Sequence, residues 1–144
     1  MEATGTQLSQ TTQSGAVLQT RPGDWAVTHA PAVGVKATIS KAAGAAGVRH
    51  VCTAISCRVV GDAAGAPAAG NFTLNLRDGA TGAGTILMSW TLSLAASVSG
   101  KDEVLLPGLN IIGSAATAMT IEFTAAGDAH TFQSVAMAGY SLPA

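Results

Sequence analysis

A stretch of alternating apolar and polar residues, Asn71–Leu94, most restricts what this chain can fold into. The alternation runs through Asn71–Arg77 and resumes in Thr85–Leu94. Successive side chains of a β-strand point to opposite faces, so each half predicts a strand with one buried and one solvated face. The glycine-rich piece between them, Asp78–Gly84, predicts the loop of an antiparallel hairpin. A lone hairpin is only marginally stable, so the rest of the chain must supply a second apolar sheet.

Most of the remaining chain alternates with the same period of two. No segment shows a helical repeat, because glycine interrupts the alanine-rich pieces. The pattern predicts about eight strands, and strands joined by loops rather than helices pair antiparallel. Eight such strands with two apolar faces predict an all-β, antiparallel two-sheet sandwich of the jelly-roll type. The predicted strands are residues 25–29, 33–41, 48–60, 71–78, 85–94, 117–124 and 131–142, with two short apolar pieces at 104–106 and 109–112 on either side of Pro107-Gly108.

The predicted strands also indicate which side chains point inward. In residues 48–60 the alternation places His50, Ser56 and Arg58 outside. Cys52 and Cys57 have an odd spacing, so we expect free thiols on opposite faces. At ~3.3 Å per residue they lie roughly 16 Å apart, too far for a disulfide. The inward residues of this strand are Val51, Ile55, Cys57 and Val59, and in the last strand Phe132, Ala136, Ala138 and Tyr140 share one side.

Residues 1–24 form a segment of their own, ahead of a sandwich domain at residues 25–144. The segment is rich in Thr, Gln, Ser and Gly and has neither a helical nor a strand period, so it cannot fold by itself. Fully extended, it reaches roughly 80 Å at ~3.3 Å per residue. It is either a terminus without a role or an extended N-terminal arm that becomes ordered on a neighbouring subunit. The predicted partner-binding residues of such an arm are Leu8, Val17, Leu18 and Trp25.

The chain carries few charges for its length of 144 residues. Charged residues make up 10% of it, against a typical ~25%. Either hydroxyl and amide groups keep the domain soluble, or partners cover much of its surface. The net charge is -1 and no run of Lys or Arg exists, so we expect no nucleic-acid partner. No apolar stretch approaches the ~20 residues of a membrane helix, so we expect no membrane partner.

No pattern in the sequence predicts an enzyme. Gly79–Thr85 has the glycine spacing of a phosphate loop, but the lysine is missing and a strand follows instead of a helix. The three histidines are isolated, and aspartates beside turns are explained by turn propensity, so we expect no metal and no cofactor. Neither cysteine has a neighbouring base, which gives no catalytic residues to name. Glu122 occupies an outward-facing strand position rather than a cleft.

The order of these elements resembles small jelly-roll proteins from the structural modules of tailed bacteriophages. Within that group, a lone domain of this size with an N-terminal arm is similar to a capsid cement, or decoration, protein. The features that carry the resemblance are the Asn71–Asp78 strand with its Asp78-Gly79 loop and Thr85–Leu94 return, Gly108-Leu109-Asn110-Ile111 before Thr117–Thr124, and Phe132-Gln133-Ser134 leading to Gly139-Tyr140.

The resemblance implies a structural virion protein that binds the outer surface of a phage capsid and stabilises it at capsomer junctions. Its implied partners are the major capsid protein and other copies of itself, as a dimer or trimer. The N-terminus shows no secretory signal pattern, so synthesis in the host cytoplasm is expected. Two alternatives remain: a phage tail, fibre or surface module that binds carbohydrate, which needs exposed aromatic residues, and a trimer-forming domain of a larger surface assembly.

Overall fold

A computed structural model describes residues 23–143, and this part of the chain contains eight strands and no helix. The predicted N-terminal arm lies almost entirely outside the described residues. The strands are β1 (Asp24–His29), β2 (Thr38–Lys41), β3 (Arg49–Gly61), β4 (Gly70–Asp78), β5 (Thr85–Leu94), β6 (Lys101–Ile112), β7 (Met119–Phe123) and β8 (Thr131–Leu142).

The strands form two four-stranded antiparallel sheets. Sheet 1 has the order β1-β8-β3-β6, and sheet 2 has the order β2-β7-β4-β5. β1 pairs with β8, β2 with β7, β3 with β6 and β4 with β5. This is the pattern of one long antiparallel hairpin rolled up so that its two arms contribute to both sheets. The predicted jelly-roll sandwich of eight strands is therefore confirmed.

The core lies between the two sheets and is built by strict alternation. In β8 every odd-numbered residue from Thr131 to Gly139 is buried, while the even-numbered residues between them are only half-buried. β7 contributes Met119, Ile121 and Phe123, all fully buried. Burying aliphatic and aromatic side chains of this size stabilises each by about 1.5–3 kcal/mol, which makes the alternation the main source of stability.

The predicted second strand is shorter than the sequence indicates. We expected residues 33–41, but β2 spans only Thr38–Lys41. The preceding residues form a turn in which Val35 N–H donates to the Ala32 carbonyl at 3.1 Å. Gly34 has φ +75° and donates to the Thr131 carbonyl at 2.8 Å. Residues 33–37 therefore alternate without belonging to a strand, and Val35 in the middle of them is exposed.

A β-bulge in β3 overturns two of the sequence predictions. The register of β3 against both neighbours shifts between Cys52 and Ala54. One extra residue reverses the alternation, so Cys52 and Cys57 both enter the core instead of facing opposite sides. Their prediction as free thiols is confirmed. His50, predicted to point outward, is buried instead, and its Nε2 donates to the Ala42 carbonyl at 2.7 Å.

Burial should make both thiols of the folded protein inert. Desolvation raises the pKa of Cys52 to about 11 and that of Cys57 to about 12, from an ordinary value of 9.0. Because the thiolate is the reactive species, we expect no reaction with a chromogenic disulfide reagent at about pH 8. Two equivalents should react once denaturant is added, as followed by absorbance. Reaction of either thiol in the native protein would contradict the burial described here.

The same pKa shifts predict how stability changes in alkaline solution. Above pH 9 the thiols of the unfolded chain ionise while those of the folded chain stay protonated. The free energy of unfolding should therefore fall as the pH rises from about 9 towards the folded values.

Gly139 leaves a space on the core side of sheet 1 that the indole of Trp25 fills. The two residues are directly paired across β1 and β8. A Cβ on Gly139 would collide with the Val51 carbonyl oxygen and lie 2.7 Å from Trp25 Cζ2. The aromatic ring thus covers the backbone of a strand glycine, which would otherwise weaken the sheet.

We predict that Gly139→Ala lowers the free energy of unfolding by about 1–3 kcal/mol, because the added methyl group overpacks the core. Gly70→Ala is the matched control, since a Cβ there would meet only Phe72 at 3.8 Å. Urea denaturation followed by tryptophan fluorescence measures both. Equal stability of the two variants would show that the space at Gly139 is not restrictive.

Candidate functional site: an open apolar face

The two sheets differ in what covers their outer faces. Over sheet 2, the loop between β4 and β5 folds back onto β7. Gly82 N–H donates to both carboxylate oxygens of Glu122, at 3.2 and 3.1 Å. Glu122 does point away from the core, as the sequence predicts, yet the loop leaves only 1% of it exposed. Glu122 therefore occupies an outward strand position and is nevertheless buried, because the loop covers it.

The carboxylate of Glu122 has a full set of partners. Arg77 Nε donates to its Oε1, and Lys36 Nζ lies 3.8 Å from its Oε2. Beside it, the Thr120 hydroxyl donates to the Gly79 carbonyl at 2.7 Å. The loop Gly79–Thr85, which has the glycine spacing of a phosphate loop, therefore directs the Gly82 amide towards the carboxylate of Glu122. These contacts seal the β7 region of sheet 2.

Removing the carboxylate should destabilise the protein strongly, because it leaves the largely buried Arg77 without its counter-ion. We predict that Glu122→Ala lowers the free energy of unfolding by about 3–5 kcal/mol. Glu103→Ala is the control, since Glu103 is an exposed glutamate on β6, in the other sheet. Its effect should stay within about 0.5 kcal/mol. A similar loss in both variants, measured by urea denaturation, would contradict a structural role for Glu122.

Sheet 1 has an open outer face with a shallow depression of about 270 Å³. Strand register shows how the face is built. One row across the sheet consists of Ala26, Ala138 and Ala54, which are direct neighbours on β1, β8 and β3. The next row consists of Thr28, Ala136, Ser56 and Leu105. Small side chains in the centre form a floor, and Leu105 forms one wall.

The floor of this depression carries no charged side chain. The charges nearest in the register are Arg58 and Glu103, which face each other one row beyond Ser56 and Leu105. Leu105 itself is 69% exposed. A contiguous apolar surface that residues 23–143 leave open is a typical feature of a binding face. The arrangement can bind an apolar segment.

The predicted partner-binding residues fall into two groups. Leu8, Val17 and Leu18 lie outside the described residues. Trp25 lies on β1 on the core side, half-buried, with its ring edge-on to His50 at a centroid distance of 5.8 Å. Its Nε1 is buried without an acceptor among residues 23–143. A partner contact of Trp25 stays a prediction.

Sequence analysis missed the open face, although a signal was present. On a wet strand face one expects Thr, Ser or charged residues, and β8 instead presents Ala136 and Ala138 there. The sequence placed these alanines on one side with Phe132 and Tyr140, and the structure shows that this is the outer side. In β8 one set of alternate residues is rich in alanine, and the other set contains the larger core residues. This difference was the available indication of an outer apolar face.

Between residues 23 and 143, no three His, Cys, Asp or Glu side chains come together as a set of metal ligands. In the same range there is no helix long and apolar enough to cross a membrane.

No family model matches the chain, and no curated protein matches its sequence. Among solved structures, a chain of "nora virus structure" matches with a TM-score of 0.27 and 10% sequence identity. The match covers 90% of this chain and 63% of the other, so this chain spans less than two thirds of that one. A superposition of this quality carries no argument about function.

Proposed function

We propose that this protein is a structural component of a virion that binds the outer surface of a phage capsid and stabilises it at capsomer junctions. The observation that carries the proposal is the open, uncharged outer face of sheet 1 around Ala138 and Leu105. Such a surface suits permanent contact with protein. The major capsid protein is the proposed partner, together with further copies of this chain.

Other features of the described residues are consistent with a structural role in a shell. The loop between β4 and β5 covers the β7 region of sheet 2 and is held there by hydrogen bonds to Glu122. A protein that binds only the assembled shell stabilises that shell by mass action, without any chemical step. Many copies multiply a modest contact area, so each interface can be small.

The carbohydrate-binding alternative lacks its main requirement in the described part of the chain. All six aromatic side chains between residues 23 and 143 are buried or half-buried, so none forms an exposed stacking platform. Trp90, for example, packs against the core cluster from β5.

Binding to shells tests the proposal directly. Capsids that lack this protein should take up the purified chain and then withstand higher temperature before releasing DNA. Leu105→Asp should reduce occupancy, because it places a charge at the apolar face. Val98→Asp is the matched control, since Val98 is 52% exposed but belongs to the loop between β5 and β6. Occupancy is counted by gel densitometry and by imaging of particles.

Deleting residues 1–20 should leave the fold intact and abolish shell binding, because the arm supplies part of the contact. Circular dichroism checks the fold, and the same occupancy assay checks binding. Failure of the wild-type protein to bind any shell would overturn the proposed function. Unchanged occupancy of the truncated protein would rule out the arm alone.

A further inference from the structure

We propose that two copies of this chain pair edge to edge through β5, antiparallel and around a two-fold axis at Trp90. The pairing would join sheet 2 of one copy to sheet 2 of the other as one continuous sheet. The proposed function includes contact between copies without saying where it occurs. The inference rests on that proposal for its biological role, but its geometry follows from β5 and the strands beside it.

The sandwich has four edge strands, and β5 differs from the other three. An edge strand presents unpaired N–H and C=O groups, and proteins usually protect it by shortness, charge or proline. β1 and β2 are short, with six and four residues. β6 begins with Lys101-Asp102-Glu103 and contains Pro107, which has no N–H. β5 has ten residues with no charge, proline or glycine, so within residues 23–143 it is the unprotected edge.

Hydrogen bonding of β4 shows which groups of β5 point out of the sheet. β4 bonds to β7 through its odd-numbered residues, since the Thr73 carbonyl accepts a hydrogen bond from Thr124 N–H at 2.9 Å. Its even-numbered residues therefore bond to β5, where they pair with even-numbered residues of 88–94. It follows that Ser89 and Thr91 direct their backbone N–H and C=O groups away from β4, towards the free edge.

The free part of this edge has a defined length. At one end Ser93 N–H also points outward, but it donates to the Asp102 carboxylate at 2.8 Å and is already occupied. At the other end the register against β4 shifts, because Met88 and Ile86 pair with consecutive residues of β4 and Leu87 is extra. The regular, unoccupied part is therefore residues 88–92, which we call the open segment, and its midpoint is Trp90.

A two-fold axis at this midpoint satisfies every outward group of the open segment. Ser89 of one copy then lies opposite Thr91 of the other, and each such pair exchanges two hydrogen bonds. Trp90 lies opposite its own counterpart, with Cβ atoms roughly 4.5–5.5 Å apart. An axis at Thr91 would instead set Ser89 opposite Ser93, whose N–H is occupied. An axis at Ser89 would set Thr91 opposite the extra residue Leu87.

The chemistry of β5 favours a second copy as its partner. Identical strands that carry charge repel each other where the same charges meet, and β5 carries none. Ser89 and Thr91 are exposed and small, so no bulky side chain on the outer face obstructs the approach. A self-complementary patch is also what a two-fold contact requires. An interface of this length is small, which suits a weak dimer that becomes populated when copies are held close together.

Sedimentation of the isolated full-length protein tests the pairing. We expect the apparent mass to rise towards that of a dimer between about 10 µM and about 1 mM. Thr91→Pro should weaken association at least about tenfold, and it spares the β4 ladder because the Thr91 N–H points outward. Thr91→Lys is a second variant with the same expected effect, since lysine protects edge strands. Thr85→Lys, an exposed position of β5 outside the open segment, is the matched control and should leave association unchanged.

Cross-linking tests the register. The native thiols are buried, so introduced cysteines can be followed separately. A mixture of the Ser89→Cys and Thr91→Cys proteins should form a disulfide between copies at least about tenfold faster than a mixture of Ser89→Cys and Thr85→Cys. In the proposed register Thr85 lies six positions from Ser89 of the other copy, roughly 20 Å at ~3.3 Å per residue.

Each outcome bears on the proposal. A wild-type protein that stays monomeric at about 1 mM would overturn the pairing. Association that persists in both Thr91 variants, or equal cross-linking in the two mixtures, would overturn β5 as the contact. Association that disappears on deletion of residues 1–20 would also overturn it and indicate the N-terminal segment instead. Since these assays contain no capsid, failure of the pairing is distinguishable from failure of shell binding.

Discussion

The ladder between β3 and β8 determines most of what this molecule presents to its surroundings. These two long strands form the centre of sheet 1 and are paired at twelve positions, interrupted by the bulge between Cys52 and Ala54. Because side chains alternate, a shift of one residue would exchange the core and the outer surface. The bulge in β3 causes this switch, so that even-numbered residues face the core before it and odd-numbered residues face the core after it. It turns Cys52 into the core beside Cys57 and leaves Ala54 and Ser56 outside, on the floor of the depression.

The larger features of the fold could be predicted from the sequence, because alternation reports burial wherever a strand is regular. The hairpin of β4 and β5, the buried residues of β7 and the number of strands all follow from that period. The bulge could not be predicted, since no residue at positions 52–54 demands it and its cause is register with two neighbouring strands. His50 was misplaced for the same reason. Residues 33–37 alternate between apolar and polar side chains without belonging to a strand. Alternation alone therefore could not distinguish this turn from a strand.

The candidate site was harder to foresee because it depends on what the loops do. Glu122 and Ala136 both occupy outward strand positions, and the sequence gives no indication that the first is covered and the second open. The loop between β4 and β5 decides this by bringing Gly82 to the Glu122 carboxylate. A charge could be placed on the outside of sheet 2 because the loop, Arg77 and Lys36 partner it there. On sheet 1 the floor of the depression consists of small uncharged residues.

This asymmetry gives the low charge content a structural meaning. A sandwich has two outer faces, and among the described residues a loop covers the β7 region of one, while the centre of the other stays open. Polar or charged residues on that second face would be well solvated by water, whereas alanine and leucine are not. Ionic groups buried under a partner would have to be desolvated without a counter-ion, which is consistent with the absence of charge from the floor of the depression.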